Sequence, residues 1–157
     1  MDRLLAAAAG GVVVAMVLCR RVLLLQDKTK GHKSYRRALV EICCDNIHSV
    51  QTAMRCGVDR IELCSNLVDG GVTPSPGLIL GAVECRDAVF HETGHLCRVN
   101  VLIRPRGGDF VYSDAELEII EKNIAFCKQA QCDGVVVGVL TPDGAVDIIR
   151  TSRLTVR

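Results

Sequence analysis

Two short apolar segments carry the residues best suited to chemistry. Glu41-Ile42-Cys43 and Glu62-Leu63-Cys64 repeat one pattern, a carboxylate two positions before a thiol. Residues two apart in a strand point to the same face, so Glu41 shares a face with Cys43, and Glu62 with Cys64. Each cysteine closes its run just before a loop, at the strand end where parallel α/β folds build their sites. If the two segments are neighbouring strands, about 4.8 Å apart, the two sulfurs can approach each other. Two thiolates at that distance suit a soft metal of low coordination number such as Cu(I). The competing reading is two buried thiols that meet no metal, since free cysteine is among the most buried residue types. Buried carboxylates need partners, and Arg60, Arg104 and Arg106 are available.

Arg104-Pro105-Arg106-Gly107-Gly108-Asp109 is the second group. Arg104 and Arg106 would lie on one strand face. With the amides of Gly107 and Gly108 they could hold a carboxylate or phosphate. An enzyme of the barrel type acting on a small anionic substrate through Glu41, Glu62 and Arg104 is an alternative function. The plainer alternative is a structural arginine–carboxylate network.

His91-Glu92-Thr93-Gly94-His95 reads H-E-x-x-H, which on a helix would give two zinc ligands and a base. Its context argues against a zinc hydrolase. Gly94 weakens a helix, and only Cys85 or Cys97 offers a third ligand. The segment also falls in a helix-to-strand connection, on the face opposite a barrel's site. Gly31-His32-Lys33 reads as part of a basic linker.

The elements that must position these groups alternate. Residues 39–43, 60–64, 99–104 and 135–140 read as strands. A helix capped by Asp45 or Asn46 would bury Val50, Ala53 and Met54 and end at Gly57. A second helix is expected over about 78–85, leaving a connection to the third strand longer than the usual span of about 2–6 residues. Ser113-Asp114-Ala115-Glu116 is a capping box opening a helix that buries Leu117, Ile120, Ile124 and Cys127. Such alternation implies a parallel sheet, either open and doubly wound or curled into a (β/α) barrel. No G-x-G-x-x-G follows the first strand, which weakens the dinucleotide-binding version.

The chain of 157 residues suffices for one domain. A net charge of +1 gives no nucleic-acid footprint. Nine cysteines, an odd number at irregular spacings, fit reduced thiols in a cytoplasmic compartment better than a secreted disulfide framework. Residues 1–37 read as a hydrophobic, then basic leader outside the fold. Their apolar run, Leu4 to Cys19, is followed by Arg20 and Arg21 and falls short of the roughly 20 residues of a spanning helix, and membrane anchoring or organelle targeting through residues 4–25 is the alternative.

Several segments closely resemble the CutC family: Glu41-Ile42-Cys43-Cys44, residues 53–64, Gly70-Gly71-Val72-Thr73-Pro74-Ser75, and above all residues 103–114 with Arg104-Pro105-Arg106-Gly107-Gly108-Asp109-Phe110. Residues 133–140, 143–144 and 146–147 continue the likeness. The resemblance implies a TIM-like (β/α)8 barrel, here about its first four β/α units over 38–147, and a role in copper homeostasis. It implies copper-binding thiols at Cys43 and Cys64, and a polar cluster at the barrel mouth to which Glu41, Glu62, Arg104, Arg106 and Asp109 contribute. Family members continue for about four more units, so the chain is expected to be a truncated or alternatively spliced N-terminal half, with 148–157 a divergent tail. Exposed strand edges in half a barrel make a homo-oligomer a possible state.

Overall fold

The computed structural model describes residues 37–155. The leader expected over 1–37 lies outside these residues except for Arg37, which pairs with Asp59. In chain order the elements are β1 (Glu41–Cys44), α1 (Ile47–Arg55), β2 (Arg60–Leu63), α2 (Pro76–Thr93), β3 (Arg98–Leu102), α3 (Asp114–Gln129), β4 (Gly134–Val136) and α4 (Ile148–Thr155), with a 3-10 turn at Leu67–Asp69. The strands form one parallel sheet in the order β1-β2-β3-β4. Each crossover steps to the next position in the same direction. A doubly wound sheet reverses direction at a switch point, so of the two expected architectures the sheet is the arc of a β/α barrel. No helix among the described residues is long and apolar enough to cross a membrane.

Helix ends follow local chemistry. Asn46 caps α1 by accepting the Ser49 amide at 2.9 Å, and the buried face is Val50, Ala53 and Met54. Ser113 and Glu116 form the reciprocal capping box of α3, with Leu117, Ile120 and Cys127 buried and Ile124 packed at the margin. Ser75 caps α2, and Pro76 fills its first turn, where no amide is lost. The expectation of a helix over 78–85 followed by a long connection is corrected. α2 runs on to Thr93 and stops at Gly94, whose φ of 72° no β-carbon would favour. The connection to β3 is then residues 94–97. Residues 86–93 lengthen the helix, burying Val89, and leave the loop short.

One face of the sheet carries Cys44, Ile61, Leu63, Val99 and Val101, all buried with the apolar faces of the helices in a single core. Residues 148–155, expected within a tail, form α4, and Leu154 joins that core.

Two aspartates set how the strands dock. Asp59, just before β2, accepts the Val40 amide through Oδ2 at 2.8 Å. Its own amide donates to the Val40 carbonyl (3.1 Å), and its carbonyl accepts the Arg98 amide (3.0 Å). Asp133, just before β4, repeats this on β3. Its Oδ2 accepts the Val99 amide at 2.9 Å and Arg86 Nη1 at 2.8 Å. Val99 is fully buried, so losing the carboxylate leaves a buried amide unpaired, a cost of about 1–3 kcal/mol. Asp133→Ala is therefore expected to lower unfolding stability by that amount in urea. Asp114→Ala, which breaks only the exposed pair with Arg150, is expected to leave the urea midpoint nearly unchanged.

Candidate functional site

The face of the sheet turned away from the helices carries the polar side chains. Cys43, Glu62, Asn100 and Gly134 stand at one level across β1 to β4, and Glu41 and Arg60 stand at the level before it. Glu41 Oε2 accepts from Arg60 Nη2 at 2.9 Å, and its Oε1 from Asn100 Nδ2 at 3.1 Å. Gly134 makes room for this network, because a β-carbon there would lie 2.6 Å from Asn100 Oδ1. Asn100 and Gly134 did not stand out in the sequence. The one trace is a lone amide between Val99 and Val101 in an apolar strand.

The repeated Glu-x-Cys pattern suggests that β1 and β2 pair in phase, glutamate beside glutamate and thiol beside thiol. The register is displaced by two. Glu41 lies opposite Arg60, and Cys43 opposite Glu62. In-phase pairing would set two carboxylates side by side, whereas the observed register gives Glu41 a cation. A displacement of two keeps every side chain on its expected face. Cys64 therefore shares the Glu62 face, one level beyond Cys43, where its amide still donates to the Cys44 carbonyl at 2.9 Å. It is buried but stands apart from the helix-side core.

Cys43 Sγ donates to Glu62 Oε2 at 3.1 Å. Burial pushes its pKa up to about 12, helped by that hydrogen bond and by the negative charge of Glu62. Burial, then the same carboxylate, holds Cys64 at about 12. Both thiols are free and protonated at neutral pH. Among the described residues no group of three or more His, Cys, Asp or Glu is arranged to hold a metal ion, and the register sets Cys43 and Cys64 one level apart on neighbouring strands, not directly opposite each other.

Arg104 and Arg106 lie beyond the end of β3 and serve the loops. Arg104, 7% exposed, donates to the carbonyls of Asp69 (3.0 Å), Gly71 (2.8 Å) and Gly108 (2.7 Å) and stacks over Phe110. Arg106 donates to Glu116 (2.5 Å), to Asp109 Oδ1 (3.1 Å) and to the Val111 carbonyl (2.9 Å), and stacks over Tyr112. The two guanidinium groups are thus turned onto protein acceptors. Arg104 fixes the loop after β2, which Ser65 and Val72 also close by two mutual backbone bonds. That loop packs on Cys64 and Leu102. A β-carbon on Gly71 would lie 2.8 Å from Leu102 Cδ2 and 3.5 Å from Cys64 Cβ.

The H-E-x-x-H residues are not brought together as zinc ligands. His91 and Glu92 lie in the last turn of α2, and the αL turn at Gly94 carries His95 off the helix. His95 Nε2 donates to the Val58 carbonyl at 2.8 Å, and Glu92 pairs with Arg55. The zinc alternative at His91 and His95 is corrected accordingly.

With Arg104 holding the loop over Cys64, Arg104→Ala is expected to speed alkylation of Cys64 several-fold. Peptide mapping after a timed iodoacetamide pulse checks this, and the rate at exposed Cys56 should stay the same.

The model of the CutC family matches residues 38–157. The chain is similar to a CutC family protein of Vibrio vulnificus strain YJ016, 46% identical over 112 residues, 71% of this chain and 41% of that protein. It is similar to the human protein named copper homeostasis protein cutC homolog, 45% identical over 109 residues, 69% of this chain and 37% of that one. A crystal structure of CutC from Streptococcus agalactiae superposes with a TM-score of 0.65 at 38% identity, covering 74% of this chain and 53% of that chain. The chain thus spans about two fifths of the length of the curated relatives it matches. By the extent of the family match, with the fold and these identities beside it, the chain belongs to the CutC family.

Proposed function

We propose that the chain binds Cu(I) through Cys43 and Cys64 and serves copper homeostasis, the role printed in the name of its human relative. The observation that carries this reading is the pair of free thiols on the sheet face turned away from the helices, at the loop-side ends of adjacent parallel strands, Cys43 half-buried and Cys64 under the loop after β2. The donor set fits the ion. Two thiolates satisfy Cu(I), whereas a tetrahedral zinc site or an oxygen-ligated hard cation needs more ligands. Cys43 already donates to Glu62, which orients its sulfur on that face.

The reading as an enzyme on an anionic substrate draws less support. It requires Arg104 to leave three carbonyls and Arg106 to leave Glu116 and Asp109. In the Glu41–Arg60–Asn100 network both oxygens of the carboxylate are likewise taken by protein donors.

Competitive titration of the reduced protein with a Cu(I) chelator tests the proposal. Cys43→Ser and Cys64→Ser are each expected to abolish the tight site, and His91→Ala to leave it unchanged. Unaltered stoichiometry and affinity in both serine variants would sink it. A pH series gives an independent check. Both thiols are held near 12, so binding at pH 6–8 displaces two protons. Apparent affinity should then rise about a hundredfold per pH unit, not fall.

A further inference from the structure

A second thiol pair lies outside this face, at the end of α3. The Gln131 amide donates to the Lys128 carbonyl (3.2 Å), and the Cys132 amide to the Cys127 carbonyl (3.0 Å), while Gln131 has a φ of 61°. This is the Schellman ending, in which the residue after the αL position packs on the residue five before it. The end of α1 uses the same bonds, Gly57 to Met54 (3.1 Å) and Val58 to Ala53 (3.5 Å), and fills the paired positions with apolar Ala53 and Val58. At the end of α3 the same two positions are Cys127 and Cys132, so the turn sets one thiol-bearing residue against the other. A disulfide needs its two backbones within about 7 Å, and the hydrogen bond between them meets that need.

The two thiols differ in a useful way. Cys127 is 1% exposed. Cys132 is partly exposed and lines an open hollow of about 630 Å³ with Arg86, Lys128, Phe90 and Leu96. Arg86 also grips the turn through the Gln131 carbonyl (2.9 Å) and Asp133 (2.8 Å). The hydrogen bond from Cys127, then the Arg86 charge, holds Cys132 below the usual thiol range, while the same contact and burial push Cys127 up.

We propose that Cys132 and Cys127 are a redox pair, Cys132 the attacking and Cys127 the resolving thiol, that closes to a disulfide on reaction with a small-molecule disulfide such as oxidised glutathione. Cys132 thiolate attacks one sulfur of the oxidant and expels one glutathione thiolate, which takes up the proton Cys132 released. Cys127 then loses its proton, attacks the Cys132 sulfur of the mixed disulfide and expels the second glutathione. Two protein thiols are oxidised and one disulfide is reduced to two thiols. The product locks the end of α3 to the turn that feeds β4.

The test is oxidation of the reduced, copper-free chain with oxidised glutathione under native conditions, quenched with acid and mapped by non-reducing trypsin digestion and mass spectrometry. Trypsin cuts after Lys128, so the disulfide joins peptides 123–128 and 129–150, which are otherwise separate. We expect this linked pair to form several-fold faster than the mixed disulfide at exposed Cys56. Cys127→Ser should leave glutathione trapped on Cys132, and Cys132→Ser should leave Cys127 unmodified. A stable mixed disulfide on wild-type Cys132, linkage of either thiol elsewhere, or Cys56 reacting first would each overturn the proposal. The wild-type result decides the matter even where a variant folds poorly.

Discussion

Asp59 ties three strands at once. Its carboxylate and amide hold the residue before β1, its own chain continues into β2, and its carbonyl receives the first amide of β3. These bonds fix the displacement of β1 against β2. From that displacement follow the facing of Glu41 and Arg60, the bond from Cys43 to Glu62, and the place of Cys64 one level further on. The carboxylate lies below its ordinary range chiefly because the Val40 amide donates to it, with Arg37 assisting. The stabilisation it contributes is present at neutral pH and is lost as pH falls through the carboxylate range.

Much of this was legible in the sequence, because short-range chemistry decides it. The alternation of strands and helices, the buried stripe Val50-Ala53-Met54 and the Ser113–Glu116 box depend on neighbours three or four residues away. Register does not. A two-residue slip leaves every side chain on its face, so the Glu-x-Cys repeat could not reveal that Cys43 meets Glu62 and not Cys64. The length of α2 was hidden for a different reason. Residues 86–93 are mostly polar because they cover one side of the sheet with a thin stripe, Val89 being the buried contact, and Gly94 reads equally as a breaker or as an ending.

The role of Arg104 was hidden by its chemistry. An arginine in a glycine-rich loop suggests an anion, yet a guanidinium can turn its terminal nitrogens onto the carbonyls of the loop that surrounds it. Here that choice orders the segment over the strand ends. Gly71, at a φ of 86°, lets the loop lie against Leu102 and Cys64. The face that carries Cys43 is thus built by strand pairing, and the cover over Cys64 by one buried cation.

The consecutive strand order has a kinetic consequence. Each strand pairs with the one translated just before it, and the aspartate bonds close segments of 19 residues for β1 with β2 and 34 residues for β3 with β4. Doubling a closed length adds only about 0.6 kcal/mol of closure entropy. Among the described strands each pairing is between sequence neighbours, so this part of the sheet can assemble in the direction of synthesis, each unit docking on a neighbour already in place. A doubly wound sheet, whose later strands insert on the far side of its first, does not share that order of assembly.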